Sequence, residues 1–241
     1  MKENFYRKVR VERKKKEARD TESIYFRDAL CAEAAAGQFI MVWLPGIDEF
    51  PMSISRIGDI SSITVLRKGE GTGALLSLAE GTVFSIRGPF GNGFSEHHGK
   101  KTLIAGGIGI ASLLPLVSDG DHVFLGARGA EYLPFLEEIA ALGAEVEIAT
   151  DDGSLGFRGT VVDLFLTHKS VGKVLACGPM PMLRSLYDKG VKTEASLESY
   201  MKCAVGICDS CTINGFTVCR DGPVVEDLRS IFEGCEQDGP L

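Results

Sequence analysis

Four of the seven cysteines fall between Met201 and Cys219, as Cys203, Cys208, Cys211 and Cys219, in the spacing C-x4-C-x2-C-x7-C. Thiolates this close share a metal centre or are cross-linked, and the chain between them must curl around that centre. A four-residue gap followed by a two-residue gap is how a loop wraps a [2Fe-2S] cluster, each iron taking two protein sulfurs. Gly206, inside the first gap, has no Cβ and so allows close approach and positive φ. A four-cysteine zinc site is the alternative, but zinc knuckles usually carry two CxxC pairs, and here only Cys208 and Cys211 have that gap. Disulfides are the third reading.

The remainder reads as soluble and globular. Its 241 residues, 44% hydrophobic and 24% charged, suffice for one large domain or two modest ones. A net charge of −7 argues against nucleic-acid binding, which rests on clustered Lys and Arg. Ten of the 26 basic residues nevertheless lie within the first 27 positions, including Lys14, Lys15 and Lys16. This run is expected as a solvated turn between two strands, with a docking surface for an acidic partner as the alternative. No apolar run approaches the roughly 20 residues that span a bilayer. The start MKENFYRKV lacks an apolar signal core, so no membrane insertion and a cytoplasmic location, where thiols stay reduced, are expected. Cys31 and Cys235 are expected to be small buried or incidental side chains.

Residues 5–13 alternate with period two, and Ser23 to Arg27 does so again, predicting an antiparallel pair. Gln38 to Leu44, Pro51 to Ser55, Ser62 to Arg67 and Thr82 to Arg87 are further short runs rich in Val, Ile, Phe and Thr. Together they predict a small antiparallel barrel, interrupted by a helix over Gly73 to Leu78. Beyond the polar run Ser95 to Lys101 the pattern changes. Strand candidates Lys101 to Ala105, His122 to Gly126, Val146 to Ala149 and Val174 to Cys177 alternate with helix candidates. These are a run ending at Val117, Leu133 to Leu142, Val161 to Thr167 and Pro181 to Tyr187, and such alternation means a parallel sheet. The chain thus divides into a β-barrel domain (1–98), an α/β domain (99–194) and a cysteine segment (195–241).

Four motifs sit at turns that admit ligands. Lys68-Gly69-Glu70-Gly71-Thr72 leads into a helix, a plausible seat for a pyrophosphate or merely a turn. Gly106, Gly107 and Gly109 follow the first α/β strand, where glycines admit phosphates or a flat ring, although the G-x-G-x-x-G spacing is missing. Cys177-Gly178-Pro179 ends a buried strand, either placing a thiol near any nicotinamide ring in the crevice or simply burying a small side chain. Asp151, in Thr150-Asp151-Asp152-Gly153-Ser154, either contacts a ribose or forms an Asx turn.

In this order, with the cysteines behind them, these motifs resemble the electron-transfer subunits of heteromeric dihydroorotate dehydrogenases, a family of ferredoxin-reductase-like flavoproteins. The resemblance runs from the barrel strands to Asp221-Gly222-Pro223. It matches a flavin motif to Pro51, Met52, Ser53 and Ile54 and a G-x-G-T motif to Gly69, Glu70, Gly71 and Thr72. C-G-P-x-P-M falls on Cys177 to Met182, and D-G-P-V follows Cys219. It implies FAD in the barrel, NAD(H) in the α/β half and electrons passing through the cluster to an FMN-containing catalytic subunit that oxidises dihydroorotate, in a heterotetramer serving pyrimidine biosynthesis. The surface around Gly206 and Ile207 is then the expected docking tip. One departure stands out: the family's flavin-motif arginine is Phe50 here. Arg67, Lys68 and Arg87 are the cations close enough in sequence to replace it.

Reductase subunits that serve a hydrogenase, a sulfide-linked enzyme or a ferredoxin share this architecture and form the alternative. A zinc-stapled binding protein on a degenerate scaffold is the alternative of another class. Nothing demands a side-chain acid or base, and His97, His98, His122 and His168 show no metal or triad spacing. Arg128 either meets a 2′-phosphate or faces solvent, which leaves NADH against NADPH open.

Overall fold

Short runs of β-branched and aromatic residues, punctuated by Gly, Pro and Asp, build the first half. In the computed structural model, whose described residues are 2–233, they become β1 (Arg7–Arg10), β2 (Arg13–Ala18), β3 (Thr21–Phe26), β4 (Phe39–Leu44), β5 (Asp48–Arg56), β6 (Ser61–Leu66) and β7 (Val83–Phe90). Helix α1 (Glu70–Ser77) lies between the last two strands. The seven-stranded sheet is antiparallel, in the order β1-β7-β4-β5-β6-β3-β2. β1 and β2 stand at opposite ends of that order, yet only Val11 and Glu12 separate them. Val11 N donates to Thr82 O at 2.9 Å and Glu12 N to Tyr25 O at 2.8 Å. The link is therefore bonded towards both edges, and the sheet curls around a core of Ile24, Phe26, Ile40, Ile54 and Ile63.

The basic run departs from expectation. Lys14, Lys15 and Lys16 belong to β2, and the turn falls instead at Arg19-Asp20. β2 is an edge strand, and lysines there discourage pairing with another chain. Two of them are also committed within the molecule: Lys14 Nζ lies 2.9 Å from Glu22, and Lys15 Nζ lies 2.9 Å from Glu17 and 3.5 Å from Glu138. Glu138 also pairs with Arg56, and Arg19 with Glu131, so basic barrel residues meet acidic residues of the second half.

That second half alternates strand and helix: β8 (Lys101–Gly106), α2 (Ile110–Leu113), β9 (His122–Ala127), α3 (Leu136–Ala141), β10 (Glu145–Thr150), β11 (Phe157–Arg158), α4 (Val161–Leu166), β12 (Lys173–Cys177), α5 (Met180–Asp188) and β13 (Glu194–Ser196). The sheet order is β11-β10-β9-β8-β12-β13, all parallel. Both faces are covered, which is why its strands read as continuous apolar runs: Leu103 and Ala105 pack into one core and Ile104 into the other. Strand order reverses between β8 and β12, so their carboxyl ends open on a crevice. The helix expected to run to Val117 is broken: α2 has four residues and continues as a 3-10 turn over Leu114–Leu116, because Pro115 has no N–H to give.

β13 straddles the position 194/195 where the sequence divides, whereas position 98 falls in the connection between β7 and β8. A ribbon of β14 (Thr212–Ile213) and β15 (Phe216–Thr217) follows, and the chain then returns as β16 (Val224–Val225), antiparallel to β13. The cysteine loop is thus carried between two strands of the α/β sheet. Cys235 lies outside the described residues.

Asp121 anchors the start of β8. Its carboxylate is 1% exposed, lies 3.0 Å from Lys101 Nζ, and accepts from Lys101 N and Ser118 N, each at 2.9 Å. Burial alone raises its pKa, but Lys101 and these N–H groups outweigh burial and hold it below the ordinary value. Such a group stabilises the fold above its unfolded pKa, and the contribution is lost as the pH falls through the folded value. Asp121→Asn is therefore expected to lose roughly 3 kcal/mol at pH 7, because it leaves Lys101 charged and half-satisfied. In urea unfolding, the gap between variant and parent should shrink as the pH is taken below about 4. A gap that stayed constant with pH would rule this out.

Candidate cofactor cleft and metal centre

The expected motifs meet in one cleft of about 500 Å³ between barrel and α/β sheet. Pro51, Met52 and Ser53 of β5 line one side, with Lys68, Gly69, Gly71 and Thr72 at the start of α1. Ile108, Gly109 and Cys177 line the other. Thr72 Oγ1 accepts from Lys68 N at 2.9 Å and Gly69 N at 3.1 Å, which closes the turn that presents this loop to the cleft.

Ile54 does not reach the cleft, because its side chain points into the barrel core and is fully buried there. Gly106, Gly178 and Pro179 sit behind the wall. A Cβ on Gly106 would lie 2.7 Å from Pro179 Cδ, and one on Gly178 would lie 2.9 Å from Gly106 N, so these residues bring the ends of β8 and β12 together. Gly107 turns the chain at φ +53. Asp151 is exposed at the end of β10, outside the cleft lining. Its neighbour Asp152 makes the Asx turn, accepting from Ser154 N at 2.9 Å.

Phe50 also lines the cleft, and its ring packs on the G-x-G turn: a Cβ on Gly71 would lie 2.9 Å from Phe50 Cε1. Of the three neighbouring cations, only Lys68 faces the cleft. Arg67 is exposed, with Nη1 against Gly73. Arg87 is turned the other way and grips Glu49 at 2.6 Å. No local pattern singles out Ser112, Ser196, Glu198, Ser199 or Met201, which also line the cleft. Cys177 is 3% exposed, and burial pushes its thiol up to about 12, so it is neutral at physiological pH.

The cysteine loop abuts this cleft. Leu197 and Met201 line the cleft and pack in the same core as Cys211 and Cys219, each 2% exposed. The thiols form two pairs: Cys203 lies within hydrogen-bonding reach of Cys208, and Cys211 of Cys219. Among the described residues no three His, Cys, Asp or Glu side chains converge on a single-ion site. Two pairs of soft donors suit two irons that each take two thiolates better than one tetrahedral ion. Backbone N–H groups aim at the sulfurs: Val205 N and Ile207 N at Cys203 Sγ (3.4 and 3.3 Å), Gly206 N at Cys219 Sγ and Cys219 N at Cys211 Sγ (both 3.3 Å). Gly206 has φ +77, and a Cβ there would meet Arg220 Cδ at 2.9 Å. Burial raises the Cys203 thiol, but the N–H groups of Val205, Cys208 and Ile207 outweigh it and lower it to about 6. Burial, and then the Cys211 sulfur beside it, push Cys219 up to about 12. These donors and N–H groups fit an anionic iron–sulfur centre.

Cys31 is fully buried in the barrel core, and burial raises its thiol further from ionisation. His122 and His168 pack on Phe124, while His97 and His98 are exposed between the halves, so no histidine approaches either site.

Known proteins agree with this geometry. The iron-sulfur cluster binding domain of dihydroorotate dehydrogenase B matches residues 198–227. A Thermoplasma acidophilum protein named as a probable dihydroorotate dehydrogenase B (NAD(+)), electron transfer subunit, is 40% identical over 92% of this chain and 91% of its own. The protein of the same name from Pyrococcus furiosus is 39% identical over 93% and 92%. Among solved structures, the NADH-dependent reduced ferredoxin-NADP oxidoreductase superposes with a TM-score of 0.80 at 26% identity, over 95% of this chain and 93% of that one. Phthalate dioxygenase reductase shares the fold, with a TM-score of 0.66 at 18% identity over 86% and 85%. With the motifs, the paired thiols and the full-length similarity in agreement, the chain belongs to the family of dihydroorotate dehydrogenase B electron transfer subunits.

Proposed function

We propose that this chain is the NAD(H)-linked, FAD- and [2Fe-2S]-containing subunit that exchanges electrons with an FMN-containing dihydroorotate dehydrogenase catalytic subunit, in a cytoplasmic heterotetramer of pyrimidine biosynthesis. One observation carries the reading: the cleft wall at Leu197 and Met201 shares a core with the inner thiols Cys211 and Cys219, while Cys208 and Ile207 are exposed on the outside. When bound, the nicotinamide and flavin supply hydride exchange and the cluster supplies one-electron steps.

The chain's own residues bind, orient and exclude water. Pro51, Met52 and Ser53 form the flavin wall, and Gly69, Gly71 and Thr72 the pyrophosphate turn. Lys68 supplies the cleft's positive charge where the family's arginine is Phe50. Gly109 and Cys177 edge the nicotinamide crevice, Gly106, Gly107, Gly178 and Pro179 hold its shape, and the neutral Cys177 thiol adds no charge there. Cys203, Cys208, Cys211 and Cys219 hold the cluster. Residues 1–98 are the flavin domain, 99–194 the nicotinamide domain and 195–241 the cluster segment. No helix among the described residues is long and apolar enough to cross a membrane.

Purification with the catalytic subunit tests this directly. Flavin, about two irons per chain and NAD reduction by dihydroorotate are expected together; a colourless, zinc-containing protein would reject the reading. Ile207, 83% exposed at the loop tip, is the expected contact. Ile207→Asp should retain NADH-dependent dye reduction and lose transfer to the partner by at least about tenfold, since a buried unpaired charge costs several kcal/mol. Unchanged coupling in stopped-flow mixing with the partner would remove Ile207 from the interface.

A further inference from the structure

We propose that Arg87 is the residue that positions the cluster loop against the flavin barrel, fixing Cys203 relative to the cleft; the proposal rests on the electron-transfer reading above. Arg87 is the lone charge in β7, whose sequence is VFSIRGPF, and it is only 9% exposed. A guanidinium in such a place must be fully engaged to be tolerated. Its Nε and Nη2 hold the Glu49 carboxylate at 2.6 and 3.1 Å, a bidentate pair. Its Nη1 donates to Cys203 O at 2.9 Å and its Nη2 to Lys202 O at 3.3 Å. The Arg87 Cζ lies 5.3 Å from the Phe90 ring and 5.8 Å from that of Tyr6, whose hydroxyl donates to Glu49 Oε1 at 3.0 Å.

The partners explain what the arrangement does. Glu49 precedes Phe50 and Pro51, both in the cleft wall, while Lys202 and Cys203 directly follow Met201, also in that wall. Arg87 thus bridges the chain on the two sides of the cleft at the point where the second side becomes a cluster ligand. It binds the carbonyl of Cys203 and leaves the sulfur free for metal, with Val205 N and Ile207 N aimed at that sulfur. A planar fork reaches one carboxylate and two carbonyls together, which a lysine ammonium on a flexible stem does not. This makes Arg87 a positioning residue for the step between flavin and cluster, and removes it from the candidates for the flavin phosphate.

The test uses the holoprotein assembled with its partner, and parent, Arg87→Lys and Glu49→Gln variants. For each, flavin and iron per chain, the electron paramagnetic resonance spectrum of the reduced cluster, and the rate of cluster bleaching after mixing with NADH are measured. Arg87→Lys is expected to keep its flavin, to broaden and shift the cluster resonance, and to slow bleaching by at least about tenfold, as misplacements of about an ångström do for reacting groups. Glu49→Gln keeps the carbonyl contacts and loses only the carboxylate charge, so a smaller slowing in the same direction is expected. An unaltered resonance and bleaching rate in Arg87→Lys would overturn the proposal, as would loss of flavin with the cluster resonance intact. Should Arg87→Lys not fold, Glu49→Gln decides, and a parent-like resonance and rate there count against the proposal. A parent protein without flavin or iron would instead defeat the underlying reading.

Discussion

Cys219→Ser is expected to yield a protein that has lost its iron but still folds around its two sheets. Cys219 is 2% exposed, and its sulfur lies beside Cys211 and accepts from Gly206 N at 3.3 Å, so a serine hydroxyl would stand in a closed setting. A hydroxyl is a hard, weakly acidic donor and competes poorly for iron with the soft thiolate it replaces. Iron should fall from about two per chain to well under one, with acid-labile sulfide falling in step. The cluster segment should loosen as well, because metal binding and local folding are coupled. The barrel and the strands from β8 to β12 do not pass through that loop, so flavin content should survive. Iron and sulfide analysis, with the resonance of the dithionite-reduced protein, reads the outcome. Retention of full iron would mean that the ligand set is wrong.

The same loop shows how far the amino-acid sequence could be read. Spacing is local, so the clustering of the four cysteines and the glycine at position 206 inside it are read directly from the chain. The barrel strands and the βα alternation were visible for a similar reason, since side-chain periodicity reports burial within a few residues. Contacts between distant segments leave no such trace. Nothing near Lys14, Lys15 and Lys16 announces Glu138, and the run reads as a turn although it forms an edge strand. Phe50 was visible as a missing arginine, but its packing on Gly71 was not. Arg87 did leave a faint signal, a lone charge in an apolar strand; its partners at Lys202 and Cys203 lie over a hundred residues away. The threading of the cysteine loop between β13 and β16 was hidden because those strands have only three and two residues. Lone motifs such as the G-G-x-G turn were ambiguous until the fold placed them beside one another.

Gly109→Ala is expected to show how tightly that placement is held. Gly109 has φ −57, an ordinary helical value open to any residue, so its glycine is not there for backbone freedom. The reason is steric: a Cβ would lie 2.6 Å from the carbonyl carbon of Cys177 and 2.9 Å from Gly178 N. Both are backbone atoms at the end of the neighbouring strand β12, and neither can rotate away. Accommodating the methyl must push the carboxyl ends of β8 and β12 apart, at the crevice where the proposed nicotinamide site lies. A forced backbone shift of this kind costs about 1–3 kcal/mol, and the distorted crevice should raise the KM for NADH by roughly tenfold or more. Flavin content should change little, since the barrel wall is untouched. Gly107→Ala offers the contrast: no atom lies within 4 Å of its Cβ, but φ is +53, so the cost is conformational and nearer 1 kcal/mol. Urea unfolding and NADH titration of the two variants separate the causes. If Gly109→Ala matched the parent in both, the two strand ends would have to be more loosely joined than their packing implies.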